Sequence, residues 1–453
     1  MQHTRGRTRR RTRALGALSC AVLAVVIVPT AAAAPGSAGQ LDLATCAQTI
    51  RVSVSSSGEQ ANGPSERPTV SGDGTKVVFM SHATNLVRGD TNNASDIFLR
   101  DLLRNTTTRI SVSSRGEQAN GGSAIDTRIS TNGRYVVFSS EASNLVPGDT
   151  NGKVDVFVRD LVRGTTTRVS VNSKGEQANG DSMRPTLDNS GRYIAYTSVA
   201  SNLDAHDTNG TWDVYLYDQV NRTTKRISVL PDGTEPNGAS DGPQVSPDGA
   251  YVGFFSLATN LVSGDVDDFL DVFRADLATG AVTLISRNRT GGANDDLSVG
   301  GISSQDNRFV SFASHATNLT AQSPQGHDSH PYVLDTSTDT IQILDIGAEG
   351  QTGNSGGFWS AITLDGKKVT FTSASDNIVP NDLNAGRDVF IRDLVHQTTS
   401  RVSVAADGSE GNDASYFGYA NANASIIGFM SFASNLVPGD TNGVVDVFVR
   451  ISR

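Results

Sequence analysis

Ser130-Thr-Asn-Gly-Arg-Tyr-Val-Val-Phe-Ser-Ser140 opens the stretch that decides the fold. It runs on through Glu141-Ala-Ser-Asn-Leu-Val-Pro-Gly-Asp-Thr-Asn-Gly-Lys-Val-Asp-Val-Phe-Val-Arg-Asp-Leu161 to Thr165-Thr-Thr-Arg-Val-Ser-Val171 and Gly175-Glu-Gln-Ala-Asn-Gly180. Gly133 in its first turn has counterparts at Gly74, Gly191, Gly249, Asn307, Gly366 and Ala424, always 58 or 59 residues apart. A fixed period of this size marks an array of one supersecondary unit.

Each unit reads as four short strands, a to d. Strand a is a segment such as Pro68–Ser71 or Pro185–Asp188, and strand b is Lys76–Ser81 or Tyr135–Ser140. Strand c is Asp155–Arg159 and strand d is Thr167–Val171. The runs are rich in β-branched and aromatic residues and are bounded by Gly, Asn, Asp and Pro clusters. Four antiparallel strands repeated seven times predict an all-β, seven-bladed β-propeller. A linear solenoid would carry atypical capping ends. Here the ends complement each other instead. The last repeat stops after strand c, at Asp446–Arg450, and the first recognisable strand, Thr49–Val54, resembles an isolated strand d. Pairing of that N-terminal strand with the last blade is therefore expected to close the ring.

Residues 1–34 read as a signal peptide. Arg5, Arg7, Arg9, Arg10, Arg11 and Arg13 form a basic region, Leu15–Val28 is apolar, and Ala31–Ala34 offers a small-residue cleavage site. The apolar run of about 14 residues is short beside the roughly 20 of a membrane span. Residues 35–48 read as a linker and 49–453 as the propeller. The expected location is the secreted or cell-envelope space. Removing the leader takes Lys+Arg from 37 to 31 against 47 acids, a net charge of −16. That disfavours nucleic acid and anionic membranes as partners. Cys46 alone would remain of two cysteines, so neither an internal disulfide nor a cysteine zinc site is expected.

The pattern Ser-x-Asp-Gly-x-x-Val-x-Phe-x-Ser followed by Asp-Val-Phe-Val-Arg-Asp-Leu resembles the TolB-type, WD-like propeller repeat. It stands at Ser71–Ser81 with Asp96–Leu102, at Ser246–Ser256 with Asp271–Leu277, and at Thr363–Ser373 with Asp388–Leu394. The resemblance covers 49–453 and implies the fold; a fold hosts many activities, so it implies little about function.

Two features on one face could carry chemistry. The loop between strands b and c holds D-x-[N/D]-x-x-x-D in six of seven units. The residues are Asp90, Asn92, Asp96; Asp149, Asn151, Asp155; Asp207, Asn209, Asp213; Asp265, Asp267, Asp271; Asp382, Asn384, Asp388; and Asp440, Asn442, Asp446. Such hard oxygen donors suit Ca²⁺, while Asx turns leading into strand c explain the same residues without metal. In the fifth unit His330 aligns with the third Asp, and His327 and His330 read as surface residues. Repeated Arg100, Arg159 and Arg392 read as partners between strands or blades. The second feature is aromatic. Near the start of strand a the sixth and seventh units carry Phe358, Trp359, Tyr416, Phe417 and Tyr419, where others carry Glu66-Arg67, Met183-Arg184 or Asp241-Gly242. Strand a is innermost in a propeller, so these five rings should gather at one channel mouth as a ligand platform or pack as core. Gly353-Asn-Ser-Gly-Gly357 matches G-x-S-x-G but lacks the strand and helix that a nucleophile elbow needs. The expectation is a monomeric, non-enzymatic binding or scaffold module for a protein or carbohydrate ligand. The alternative is a propeller-type hydrolase or polysaccharide lyase with its site at the channel mouth.

Overall fold

The computed structural model describes residues 47–452 apart from positions 266, 325 and 327. The expected signal peptide, Cys46, His327 and all but the last two linker positions lie outside the described residues. The 28 strands form seven four-stranded antiparallel sheets, the blades of a propeller, and no helix occurs among the described residues. Blade one comprises strand a (Ser65–Val70), b (Lys76–Ser81), c (Asp96–Asp101) and d (Thr106–Arg109). The others follow the same order, through blade six, which ends on Thr398–Arg401.

Blade seven takes its outer strand from the other end of the chain. Gln48–Arg51 pairs antiparallel with Asp446–Ile451, Thr49 opposite Arg450 and Arg51 opposite Phe448. The first strand thus begins one residue before the expected Thr49 and ends at Arg51, after which Val52 N still bonds Val447 O at 2.8 Å. Pairing removes the open edge that a seventh blade would otherwise present.

Strands b and c are buried along nearly their whole length because each blade is sandwiched between two others. That is why they read as continuous Val/Phe runs rather than as alternating ones. Seven apolar clusters fill the spaces between blades. Val78, Ile97 and Ile110 of blade one, for instance, meet Val136, Phe138 and Phe157 of blade two. Within each blade one aromatic of strand b stacks on its register partner in strand c, from Phe79–Phe98 to Phe429–Phe448, with centroids 5.6 to 6.0 Å apart.

A second set of bonds ties blade to blade. The first amide of each strand a donates to the carbonyl just ahead of strand c in the preceding blade. Ser65 reaches Val445, Ser123 reaches Ser95, Ser182 reaches Val154, and Ser240 reaches Trp212. Ser298, Gly357 and Ser415 do the same to Leu270, Ser329 and Arg387, all seven bonds measuring 2.6–2.9 Å. Arg100, Arg159 and Arg392 add side-chain bonds to Ser55 O, Ser113 O and Ile346 O of the neighbouring module, the inter-blade role expected for them.

Strand a starts three residues earlier than the sequence suggested, at Ser65 and Ser182 rather than Pro68 and Pro185. Its register breaks between Glu66 and Thr69, and Arg67 at the break has φ 53°. Equivalent breaks place Asp126, Arg184, Gly242, Trp359 and Phe417 at φ 54–68°, and Gly300 at 114°. The bulge hides the strand's alternation.

The residue that sets the repeat, in the turn from strand a to strand b, is left-handed in every blade, from Gly133 (φ 66°) to Asn307 (57°) and Ala424 (59°). Gly191 leaves no space as well: a Cβ there would stand 2.3 Å from Tyr135 Cδ2 of the preceding blade. Gly191→Ala should therefore combine a left-handed penalty of roughly 1–2 kcal/mol with overpacking of roughly 1–3 kcal/mol. Chemical denaturation should show a loss of about 2–4 kcal/mol.

Candidate functional site

The acidic loops contain their own cation in five blades. In blade two the Asp155 carboxylate is fully buried at the start of strand c, and its Oδ1 accepts a 2.5 Å bond from Ser170 Oγ. Ser170 lies two residues past strand d, which spans Thr165–Arg168 rather than the expected Thr167–Val171. Its Oδ2 accepts from Asn151 Nδ2 at 2.9 Å and from Arg168, whose Nη1 stands 3.2 Å from both Asp149 and Asp155. Asn151 Oδ1 accepts from Lys153 N, the Asx turn that leads into the strand. Blades one, three and six repeat the arrangement around Arg109, Arg226 and Arg401. In blade seven the guanidinium comes from the N-terminal strand: Arg51 Nη1 lies 2.9 Å from Asp440 and 3.3 Å from Asp446. Ser53 and Asn442 complete it at 2.5 and 2.8 Å from Asp446. Asp90, Asn92 and Asp96 are set the same way, with Gln118 bonded to both carboxylates. Asn209 and Asn384 likewise bond Asp213 and Asp388.

Among the described residues three groups of carboxylates come close enough to share one ion: Asp207, Asp213 and Glu235; Asp382, Asp388 and Glu410; and Asp265, Asp267 and Asp271. Arg226 and Arg401 already stand among the first two. The third, in blade four, has no arginine: Leu284 occupies the register position opposite Phe273 that Arg168 occupies opposite Phe157. Burial first, then repulsion from its neighbours, pushes Asp271 up to about 7 and Asp265 up to about 6.

Blade five exchanges the partners. His330 replaces the buried Asp and Asp345 replaces the serine after strand d, with Nδ1 and Oδ2 2.6 Å apart. The expectation of a surface histidine is thus corrected: His330 is 3% exposed. The signal was present in the sequence, since Asp345 stands in the column of Ser170 and Ser228.

The central channel is the second site. A cavity of about 400 Å³ is walled on one side by Phe358, Trp359 and Phe417. All five predicted rings are partly exposed and in mutual contact, Trp359 meeting Phe417 edge-on at 4.9 Å and Tyr419 at 5.9 Å. Phe358 meets Tyr416 at 6.3 Å. Phe358, Trp359 and Phe417 line the cavity, while Tyr416 and Tyr419 pack against them and are not among its lining residues. Gly242 and Gly300 also line it, beside the side chains of Phe255, Val299 and Ile302.

The arginines of this channel were not anticipated as a group. Arg67, Arg128 and Arg184 line the same cavity, with one carboxylate, Asp126. Arg67 bonds Asp126 at 2.8 Å and lies over the Phe417 ring at 4.9 Å. Arg128 sits 4.5 Å over the Tyr419 ring and donates to its hydroxyl, and Arg184 pairs with Asp241 at 3.1 Å. On the far side the turns between strands a and b link across the axis, Asn189 bonding both Thr131 and Gln305.

No protein-family model matches the sequence, and no curated protein sequence is similar to it. Solved structures do match. An oligogalacturonate lyase in complex with manganese superposes with a TM-score of 0.55 at 12% identity, over 90% of this chain and 93% of that one. The oligogalacturonate lyase of Vibrio parahaemolyticus gives 0.51 at 12%, over 90% and 98%. The propeller domain of the Trilobed protease from Pyrococcus furiosus gives 0.52 at 9%, over 86% and 96%. TolB from Agrobacterium tumefaciens aligns more loosely, at 0.39 and 17%, over 62% and 80%. At these identities the likeness is one of fold, a seven-bladed β-propeller.

Removing one member of a buried ion pair costs roughly 3–5 kcal/mol because the other is stranded. Arg168→Leu should lower stability by about that much, read by urea denaturation, and Arg51→Leu should do the same while loosening the ring closure. The double change Arg168→Leu with Asp149→Asn should recover part of the loss.

Proposed function

We propose that this is an exported binding protein whose channel takes an anionic saccharide. The observation that carries the reading is three arginines and one carboxylate around an aromatic-walled cavity, in a chain whose formal net charge is −10. The cavity volume suits a small ligand. Trp359, Phe358 and Phe417, with Phe417 edge-on to the other two, offer apolar ring surface against which a sugar can rest. Guanidinium groups offer paired donors that match a carboxylate. Arg67 and Arg184 already hold carboxylates of the protein, Asp126 and Asp241, so a ligand carboxylate could take over donors already aimed at such a group. Left-handed backbone at Arg67, Arg184, Trp359 and Phe417 fixes these side chains, strain of the kind found at functional sites. The basic leader supports export to the secreted or cell-envelope space, and a monomer suffices because one chain builds the whole cavity. Calcium enters this proposal only as a structural ion of the one acidic loop that lacks an arginine, that of blade four, on residues apart from the channel.

Oligogalacturonate, the substrate class named for two of the structural neighbours, is the first probe. Isothermal calorimetry on the chain without its leader should show binding of an oligogalacturonate and none of a neutral oligosaccharide of equal length. Trp359→Ala and Arg184→Gln should each weaken binding about tenfold or more, roughly 1.4 kcal/mol. The half-buried Trp359 should cost less stability than the roughly 3–5 kcal/mol of a core aromatic. Equal affinity for the neutral oligomer would end the reading. Shortening of the oligomer during incubation would replace it with the catalytic alternative.

A further inference from the structure

Blade four differs from its five arginine-bearing siblings at three positions that face one point. The strand-d arginine is Leu284, opposite Phe273. The Gln or Glu seven residues after the serine that follows strand d, Gln118 in blade one and Glu235 in blade three, is Ala293. The central Asn of the loop is Asp267, which keeps the Asx turn by accepting from Phe269 N at 3.0 Å. As a carboxylate it can no longer donate to the buried Asp271 as Asn151 donates to Asp155. The arginine is lost in every comparison, with a Gln donor besides in blades one, two and seven or a Glu carboxylate in blades three and six, and the Asn donor becomes a third aspartate. Carboxylate oxygens of Asp265, Asp267 and Asp271 lie within 4.8 Å of one another. Asp265 Oδ1 and Asp271 Oδ2 are buried without a hydrogen-bond partner, in residues 5% and 0% exposed. The other oxygen of Asp271 is held, by Ser286 at 2.6 Å and by Asn294. Buried charge of one sign, stranded like this, is strongly unfavourable unless a cation joins it or a proton neutralises it.

We infer that blade four binds one hard divalent cation, of the Ca²⁺ class, at the place where the other blades put a guanidinium. The five siblings are the comparison: wherever the loop is two Asp and one Asn, an arginine stands between the carboxylates, and where it is three Asp, the arginine is gone. All-oxygen donors select Ca²⁺ over softer metals, with main-chain carbonyls and water filling the remaining positions. Six acidic loops thus reduce to one site. None of its residues lines the channel, so the inference stands or falls apart from the saccharide reading.

The test is a Ca²⁺ titration by calorimetry of the chain without its leader, stripped with chelator. The expected result is one ion per chain and a melting temperature that rises on adding Ca²⁺. Leu284→Arg, which restores the sibling residue, should abolish binding and leave the melting temperature in chelator unchanged or higher. Asp267→Asn should weaken binding at least tenfold, and it serves alone if the arginine variant does not fold. Asp149→Asn, in a loop already holding Arg168, should leave the titration unchanged. No heat at millimolar Ca²⁺, a stoichiometry near six, or binding indifferent to both blade-four changes would overturn the inference. Trp359→Ala should not move the titration, which separates this site from the channel.

Discussion

A buried carboxylate at the start of strand c is the constraint on which the rest of the propeller depends. Asp96, Asp155, Asp213, Asp271, Asp388 and Asp446 are all 0% exposed. An ion taken out of water costs several kcal/mol even after relaxation, and only a full set of partners offsets that. The serine two residues past strand d supplies the first partner and fixes how the chain leaves the blade. Its oxygen also accepts the amide after the Asp, as Ser170 accepts Val156 N at 3.1 Å, so strands c and d remain latched beyond their regular pairing. The arginine two residues earlier supplies the charge. In blade seven that arginine is Arg51, 389 positions before Asp440 in the chain. Closure of the ring is therefore an electrostatic requirement of the last blade as well as a means of covering its edge.

Blade five shows that the latch is a geometry rather than a residue set. His330 and Asp345 exchange the roles of acceptor and donor across the same gap. With the first Asp replaced by Ser323 and the arginine by Ile343, the loop no longer carries surplus negative charge that needs an arginine. Each of these loops is balanced locally, and this makes the three carboxylates of blade four stand out.

The period, the ring of seven, the inner strands b and c and the closure by the N-terminal strand could all be read from the sequence. Strongly buried strands write themselves as Val/Phe runs, and a repeat multiplies a weak signal by seven. Strand a was legible only in part, because a left-handed residue at its third or fourth position interrupts the alternation on which strand recognition rests. The acidic loops were legible as oxygen donors but not as occupied ones. Spacing within a loop cannot show that Arg168, thirteen residues beyond Asp155, folds back onto it. The joint change to Asp267 and Leu284 was visible in aligned units and would have separated blade four from the others. The aromatic wall followed from placing strand a innermost. The three channel arginines did not, since Arg128 belongs to a different strand position from Arg67 and Arg184 and reaches Tyr419 from two blades away.

The division of labour between wall and ring has a physical cause. Strands b, c and d are clamped between neighbouring blades, so a change of volume there disturbs two interfaces at once. The left-handed residue of strand a, third in six blades and fourth in blade two, escapes that constraint. Its left-handed backbone turns it out of the sheet toward the axis, where it meets side chains of other blades, as Trp359 meets Phe417 and Arg67 meets Asp126, and every one of the seven borders the same cavity. Around the ring these positions read Arg67, Asp126, Arg184, Gly242, Gly300, Trp359 and Phe417, with no two adjacent blades alike except at the paired glycines. Near-identical blades thereby enclose a channel with a cationic side, an aromatic side and a stretch where the position carries only glycine. The repeat fixes the positions and leaves their chemistry free, so a site for an asymmetric ligand can arise within a pseudo-symmetric fold.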